Sequence, residues 1–208
     1  MKPPHTLSDA HLLEYADTHV TYELNMLVWT SGLLSALFPF KTNGYLPWTV
    51  NNATVNSYSM HARNLIDFLY SRSLGKDYST DIILQDYIGQ AASSKFPPIP
   101  PLLEAAKTKA DKQVAHLTRE RIDYEKAGKE WHFVDIALAI AGAFKAVAPF
   151  FPPARSSQAF RDLISFPKLR IPLIDARVIY SESEDPLGLS VTLGQASSAA
   201  ADSEGISA

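Results

Sequence analysis

The sequence predicts an all-α protein: an antiparallel bundle of four main helices with a short helix, a long loop and a disordered C-terminal tail. Three observations point there. Apolar residues recur at steps of three and four over long stretches, the period of a helix with one buried face. Alternation at period two is nearly absent, and Arg177 to Tyr180 is too short to change the class. Proline, glycine and asparagine gather between the periodic stretches and mark the connections.

The first helix begins under Ser8 as N-cap, runs through Leu12, Leu13, Tyr15, Ala16, Val20, Leu24, Leu27, Val28, Leu34 and Leu37, and ends at Pro39. Pro39 to about Ala53, with Gly44, Pro47 and Trp48, reads as the long loop. A second helix is expected from about Asn52 to Ser73, with Tyr58, Ala62, Leu65, Ile66 and Leu69 as its apolar stripe and Gly75 at its C-terminal stop. A short segment follows from Ser79 to Ile88, capped by Ser79 or Thr80. Ser93 to Pro101 is a polyproline-like connector whose last proline suits the first position of a helix.

The third helix is expected from Pro101 to about Lys126, with Leu103, Ala106, Ala110, Val114, Leu117 and Tyr124 inward. The fourth, Glu130 to Ala148, is apolar on most sides and so is expected at the centre of the bundle. After Phe150 the pattern breaks, apart from a turn or two over Ala159 to Ile164. From Ser181 the chain is acidic and rich in Ser, Ala and Gly, with too little apolar surface to offset the entropy of ordering. The organisation expected is a bundle domain over 1–150, a partly ordered extension over 151–180 and a disordered tail over 181–208.

The chain has 208 residues, enough for one domain with a sizeable core. Its formal net charge of -3 argues against a general electrostatic grip on nucleic acid or an anionic membrane. It has no cysteine, which removes disulfides, thiolate nucleophiles and Cys-type zinc sites. Met1 to Thr6 carry no apolar signal-peptide core, and the apolar run Val134 to Phe151 contains Asp135, Lys145 and Pro149. A buried helix, no membrane span and a cytoplasmic location are therefore expected. No Gly-x-Ser-x-Gly elbow and no Gly-rich phosphate loop occur.

Two phrases hold the candidate chemistry: Met60 to Leu69 and Asp111 to Arg121. Each is helical in pattern and carries His, Arg and an acid. In the first, His61 lies at the edge of the apolar stripe beside Asn64, while Arg63 and Asp67 stand one turn apart as an i,i+4 pair. In the second, Lys112, His116 and Arg119 share a polar side, and Arg121 falls on the apolar stripe, where it needs a carboxylate or a cleft. His61, His116 and His132 lack the spacing of a metal site, so no metal and no cofactor are expected.

The phrases His61-Ala-Arg-Asn-Leu-Ile-Asp-Phe-Leu69 and Ala115-His-Leu-Thr-Arg-Glu-Arg121, with Thr80 to Tyr87 and Trp131, resemble a family of small prokaryotic helical proteins. More distantly the architecture resembles HEPN domains, helical bundles whose nuclease members carry Arg, a polar residue and then His on one helix. Asp111 stands where that motif has arginine before His116. Arg63-Asn64 meets Phe68 at the histidine position, and Arg119 leads to Tyr124. The resemblance implies a helical fold, a homodimer and a polar patch from the second and third helices. The expected function is a HEPN-like module whose patch (His61, Arg63, Asn64, Asp67, Lys112) binds a nucleotide, RNA or a protein partner. One alternative is a metal-independent RNase, with His116 as general acid/base and Arg119 or Arg121 on the phosphate. The other is a structural or interaction protein with no small-molecule site.

Overall fold

The computed structural model of the chain describes residues 7–37, 45–71, 81–93, 96–112 and 131–165. The fold is all-α, with no strand among the described residues. Its elements are α1 (Asp9–Tyr15), a π-helical segment (Ala16–Val20), α2 (Thr21–Leu37), α3 (Tyr45–Tyr70), α4 (Leu84–Ser93), α5 (Pro101–Ala110), α6 (Phe133–Val147), a 3-10 turn (Ala148–Phe150) and α7 (Gln158–Ser165).

Helix α1 begins as the sequence predicts: the Ser8 hydroxyl accepts the His11 N–H at 3.2 Å. The rod from α1 to α2 is unbroken but irregular. The residues that it buries run Leu12, Ala16, Val20, Leu24 and Leu27. From Leu12 to Leu24 is 12 residues, whereas three α-turns take only about 10.8. The wide π turn absorbs the surplus residue and keeps one face on the core. Thr21 N–H reaches back five residues to the Ala16 carbonyl, which also accepts from the Thr21 hydroxyl at 3.0 Å.

Helix α3 starts earlier than expected, at Tyr45 rather than near Asn52, so the long loop ends sooner. Pro47 does not prevent this, because a proline in the first turn loses only an N–H that has no partner in the helix. The short helix is displaced to Leu84–Ser93, and the expected Ser79 or Thr80 cap lies outside the described residues. Pro101 opens α5 as expected, with Pro100 extended at its cap (φ -62, ψ 143). The remainder of the predicted third helix, Gln113 to Lys126, is outside the described residues, as are Gly75 and the tail from 166 onward.

Helices α2, α3, α5 and α6 form the bundle: α3 packs against the other three, and α6 also meets α2 and α5. Ion pairs give one direction. Arg63 of α3 meets Asp111 just past α5, while Asp67, one turn on, meets Lys107, one turn back; the two helices are antiparallel. On α2 and α3, the buried hydroxyls of Thr30, Ser31, Thr54 and Ser59 bond carbonyls of their own helices, so their burial leaves no orphan polar group.

Phe144 stacks on Phe68 in the centre of the core. The buried Tyr58 hydroxyl donates to the Phe133 carbonyl at 2.8 Å, and Tyr87 donates to Leu12 at 2.9 Å. Burial pushes both phenols well above their ordinary range. Helix α6 buries one face only, through Ile136, Ala137, Ile140, Ala143, Phe144 and Val147, with Leu138 and Lys145 outward. Phe133–Phe150 is long and apolar enough by length and composition to cross a membrane, and its buried face packs the core of this bundle. The core continues past the expected boundary at 150: Phe151, Phe160 and Ile164 are buried within it. Ala159–Ile164, read as a turn or two, belongs to α7.

Candidate functional site

The π segment, the middle of α3 and the lead-in to α4 enclose a polar cleft of about 530 Å³. The first wall carries Tyr15, His19 and Glu23, a ladder of four-residue steps across the wide turn; the rings of Tyr15 and His19 lie 4.7 Å apart. The second carries Arg63, Asn64 and Asp67, and the third Asp81. Val20, Leu65, Phe68, Ile82 and Ile83 make the apolar floor. A smaller hollow of about 350 Å³ continues the groove past Tyr15, His19 and Ile82 to His11 and Glu14.

Glu23 joins α2 to α3. Its Oε2 lies 2.7 Å from His61 Nδ1, and its Oε1 accepts from Asn64 Nδ2 at 3.3 Å. An ionised carboxylate only accepts, so the imidazole proton of this contact sits on Nδ1. The edge-on ring of Tyr22 covers His61 from outside. Behind the second wall, Arg63, Asp67, Lys107 and Asp111 are joined by ion pairs. Lys107 Nζ reaches Asp67 Oδ1 at 3.0 Å and Asp111 Oδ2 at 2.9 Å. Arg63 Nε donates to Asp111 and lies 4.0 Å from Asp67. Lys107 is only 4% exposed.

These contacts shift the titration of Asp111 and Tyr15. Burial alone would raise the Asp111 pKa, but hydrogen bonds and charge from Lys107 and Arg63 outweigh it and hold the carboxyl below its ordinary value. Burial, followed by the carboxylates of Glu23 and Asp81, pushes the Tyr15 phenol up. Among the described residues, three carboxylates (Glu23, Asp67 and Asp81) and one guanidinium line the cleft, and that guanidinium, Arg63, donates to Asp111.

Of the residues that the sequence singled out, Arg63, Asn64 and Asp67 line the cleft, and His61 stands behind Glu23. The Arg63–Asp67 pair is less isolated than expected, because Lys107 and Asp111 close it into a network. Lys112 ends the described part of its segment and does not line the cleft. His116, Arg119 and Arg121 lie outside the described residues. His132 is exposed, 3.9 Å from Asp135. No group of three or more His, Asp or Glu side chains among the described residues is placed to hold a metal ion.

Sequence reasoning did not place Tyr15, His19, Glu23, Asp81 or Lys107 at the site. For Lys107 a signal existed: it stands in the inward stripe of Leu103, Ala106 and Ala110, where a lysine needs buried partners. For the others no local signal exists, since the cleft joins segments far apart in sequence and its first wall depends on the wide turn. Comparison with known proteins finds no matching family model and no significant match to a curated protein or a solved structure.

Proposed function

We propose that this chain is a HEPN-like helical binding module that takes a basic side chain of a protein partner into the polar cleft. The observation that carries this reading is that, among the described lining residues, carboxylates outnumber cationic groups above an apolar floor. An aliphatic stem suits Val20, Leu65 and Phe68, and its cationic head would meet Glu23 and Asp81. Phosphate-bearing ligands, nucleotide or RNA, would face the same carboxylates and gain little from an Arg63 already bonded to Asp111.

Two features support a binding role at this place. A π segment is an irregular turn often found at functional sites, and it builds one wall. A buried ion network, which seldom adds stability over an apolar equivalent, backs another. A cytoplasmic location and a homodimer belong to the same proposal, the second testable by light scattering.

The test is titration of the 15N-labelled protein with N-acetyl-arginine methylamide, beside AMP and a short single-stranded RNA. Amide shifts at Glu23, Asn64 and Phe68 with the arginine probe are expected. No shift with it, or shifts with AMP or RNA alone, would overturn the reading. The RNase alternative is tested by incubating RNA in EDTA with the wild type and His116→Ala; equal background cleavage is expected.

A further inference from the structure

We infer that the outer face of the α2–α3 hairpin is where two copies of this chain meet. The inference rests on the homodimer of the preceding reading and names its surface; it does not depend on what the cleft binds.

Helices α2 and α3 lie side by side and antiparallel: Glu23, near the start of α2, meets His61 and Asn64, late in α3. Outward, α2 presents Tyr22, the half-buried Met26 and Trp29, at steps of four and three; α3 presents Val50, Ala53 and Met60, at steps of three and seven. Tyr22, Trp29 and Met60 are 53, 53 and 56% exposed. The ring of Tyr22 reaches across to His61 at 5.6 Å, so the two rows make one surface. Leu24, Leu27 and Leu34 fill the inner side of α2. The helix is thus apolar on both sides, the pattern of one covered all round, while its outer side stays open to solvent.

The face is also uncharged. Residues 24–37 and 45–60 contain no Asp, Glu, Lys, Arg or His, in a chain of which 20% is charged. Elsewhere the surface is ordinary, with Glu104 of α5 and Asp162 of α7 exposed. Depletion of charge with enrichment of aromatic residues and Met marks the centre of a protein interface. Asn25 and Asn56, both exposed, narrow the choice of partner. Their amides would lose hydrogen bonds in lipid, whereas a protein can supply them. An acidic or basic partner would find no opposite charge. A second copy brings the same neutral face through a two-fold axis, so the match in charge is automatic. The area suffices: two adjacent helices of about 16 residues present roughly 25 by 20 Å in projection, and a ridged face of that size approaches the share of a standard interface, about 800 Å² from each partner.

The experiment is light scattering on the full chain across a concentration series, for the wild type, Trp29→Glu, Met60→Glu and the control Glu104→Lys. The wild type and the control are expected at twice the 22.9 kDa of one chain. Trp29→Glu and Met60→Glu should keep their circular dichroism and dissociate at concentrations at least about thirtyfold higher than the wild type, as for loss of a central aromatic anchor. A wild type that is monomeric throughout overturns this inference and the homodimer together, leaving the cleft proposal in place. A dimer kept intact by both folded Glu variants overturns the inference alone. Should both variants fail to fold, single nitroxide labels decide, since the chain has no cysteine of its own. A shorter distance between copies from Ala53→Cys than from Glu104→Cys upholds the face; the reverse order, or equal distances, overturns it.

Discussion

Lys107 shows what one residue can demand of its surroundings. A lone ammonium at 4% exposure would cost several kcal/mol to bury, and it is retained here because two carboxylates lie within 3.0 Å. Asp111 carries the pH dependence of this arrangement. Its pKa is lowered in the folded protein, so its contribution is complete above the unfolded value near 3.8 and is lost as pH falls through the folded value. Asp111→Asn should cost about 1.5–3 kcal/mol at neutral pH, as expected for hydrogen bonds to charged groups. Urea unfolding between pH 7 and 2 checks this: the wild-type and Asn curves should converge in acid, and a constant gap down to pH 2 would contradict it. The sequence did offer His61, Arg63, Asn64 and Asp67 as one polar group on one helix. Their partners were not legible, because Glu23 and Lys107 are some 40 positions away in sequence and ion pairing leaves no periodic trace.

At the scale of elements, helices were legible where periodicity is long and illegible where a local irregularity mimics it. A step of four, repeated from Leu12 to Leu24, resembles ordinary helical spacing in a short window; only its repetition shows that a residue too many is present. The wide turn is therefore removable. Deleting the exposed Thr18 changes the inward spacing from four, four, four, three to four, three, four, three, which a regular α-helix satisfies. The deleted chain should keep its far-UV circular dichroism and a melting temperature at or above wild type. It should lose most of its affinity for the arginine probe, since the wall bearing Tyr15, His19 and Glu23 closes up. A second irregularity lies in α4, where Gly89 takes φ 75, ψ 166, a region open essentially to glycine alone. The carbonyls of Asp86 and Tyr87 accept from Arg155 Nη1 at 2.8 and 3.1 Å beside this break. A Cβ at Gly89 would meet nothing within 4 Å, so Gly89→Ala should cost only the backbone strain, about 1–3 kcal/mol by chemical denaturation.

At the scale of the molecule, the helical class follows from an apolar period that runs through nearly every described element, whereas the end of the folded unit does not. The chain after Phe150 looked like an extension because its apolar residues follow no sustained helical period. Three of them, Phe151, Phe160 and Ile164, nevertheless close one side of the core, with Phe151 and Phe160 edge to face at 5.4 Å. Polar contacts fasten the same stretch to the first rod: Arg155 Nε donates to Asp9 at 2.7 Å, and the Ser157 hydroxyl donates to Asp17 at 2.7 Å while accepting the Phe160 N–H. Asp17 lies in the π segment that walls the cleft, so this closure also braces the site. Phe160 is 1% exposed, and truncating a phenylalanine so buried costs about 3–5 kcal/mol. That is a large part of the roughly 5–15 kcal/mol that holds a domain together. Phe160→Ala should therefore fold with a much lower melting temperature, and a chain ended at residue 150 should not fold cooperatively. Differential scanning calorimetry of the two beside the full chain decides it: a truncated chain melting like the full one would return the boundary to 150 and leave α7 an appendage.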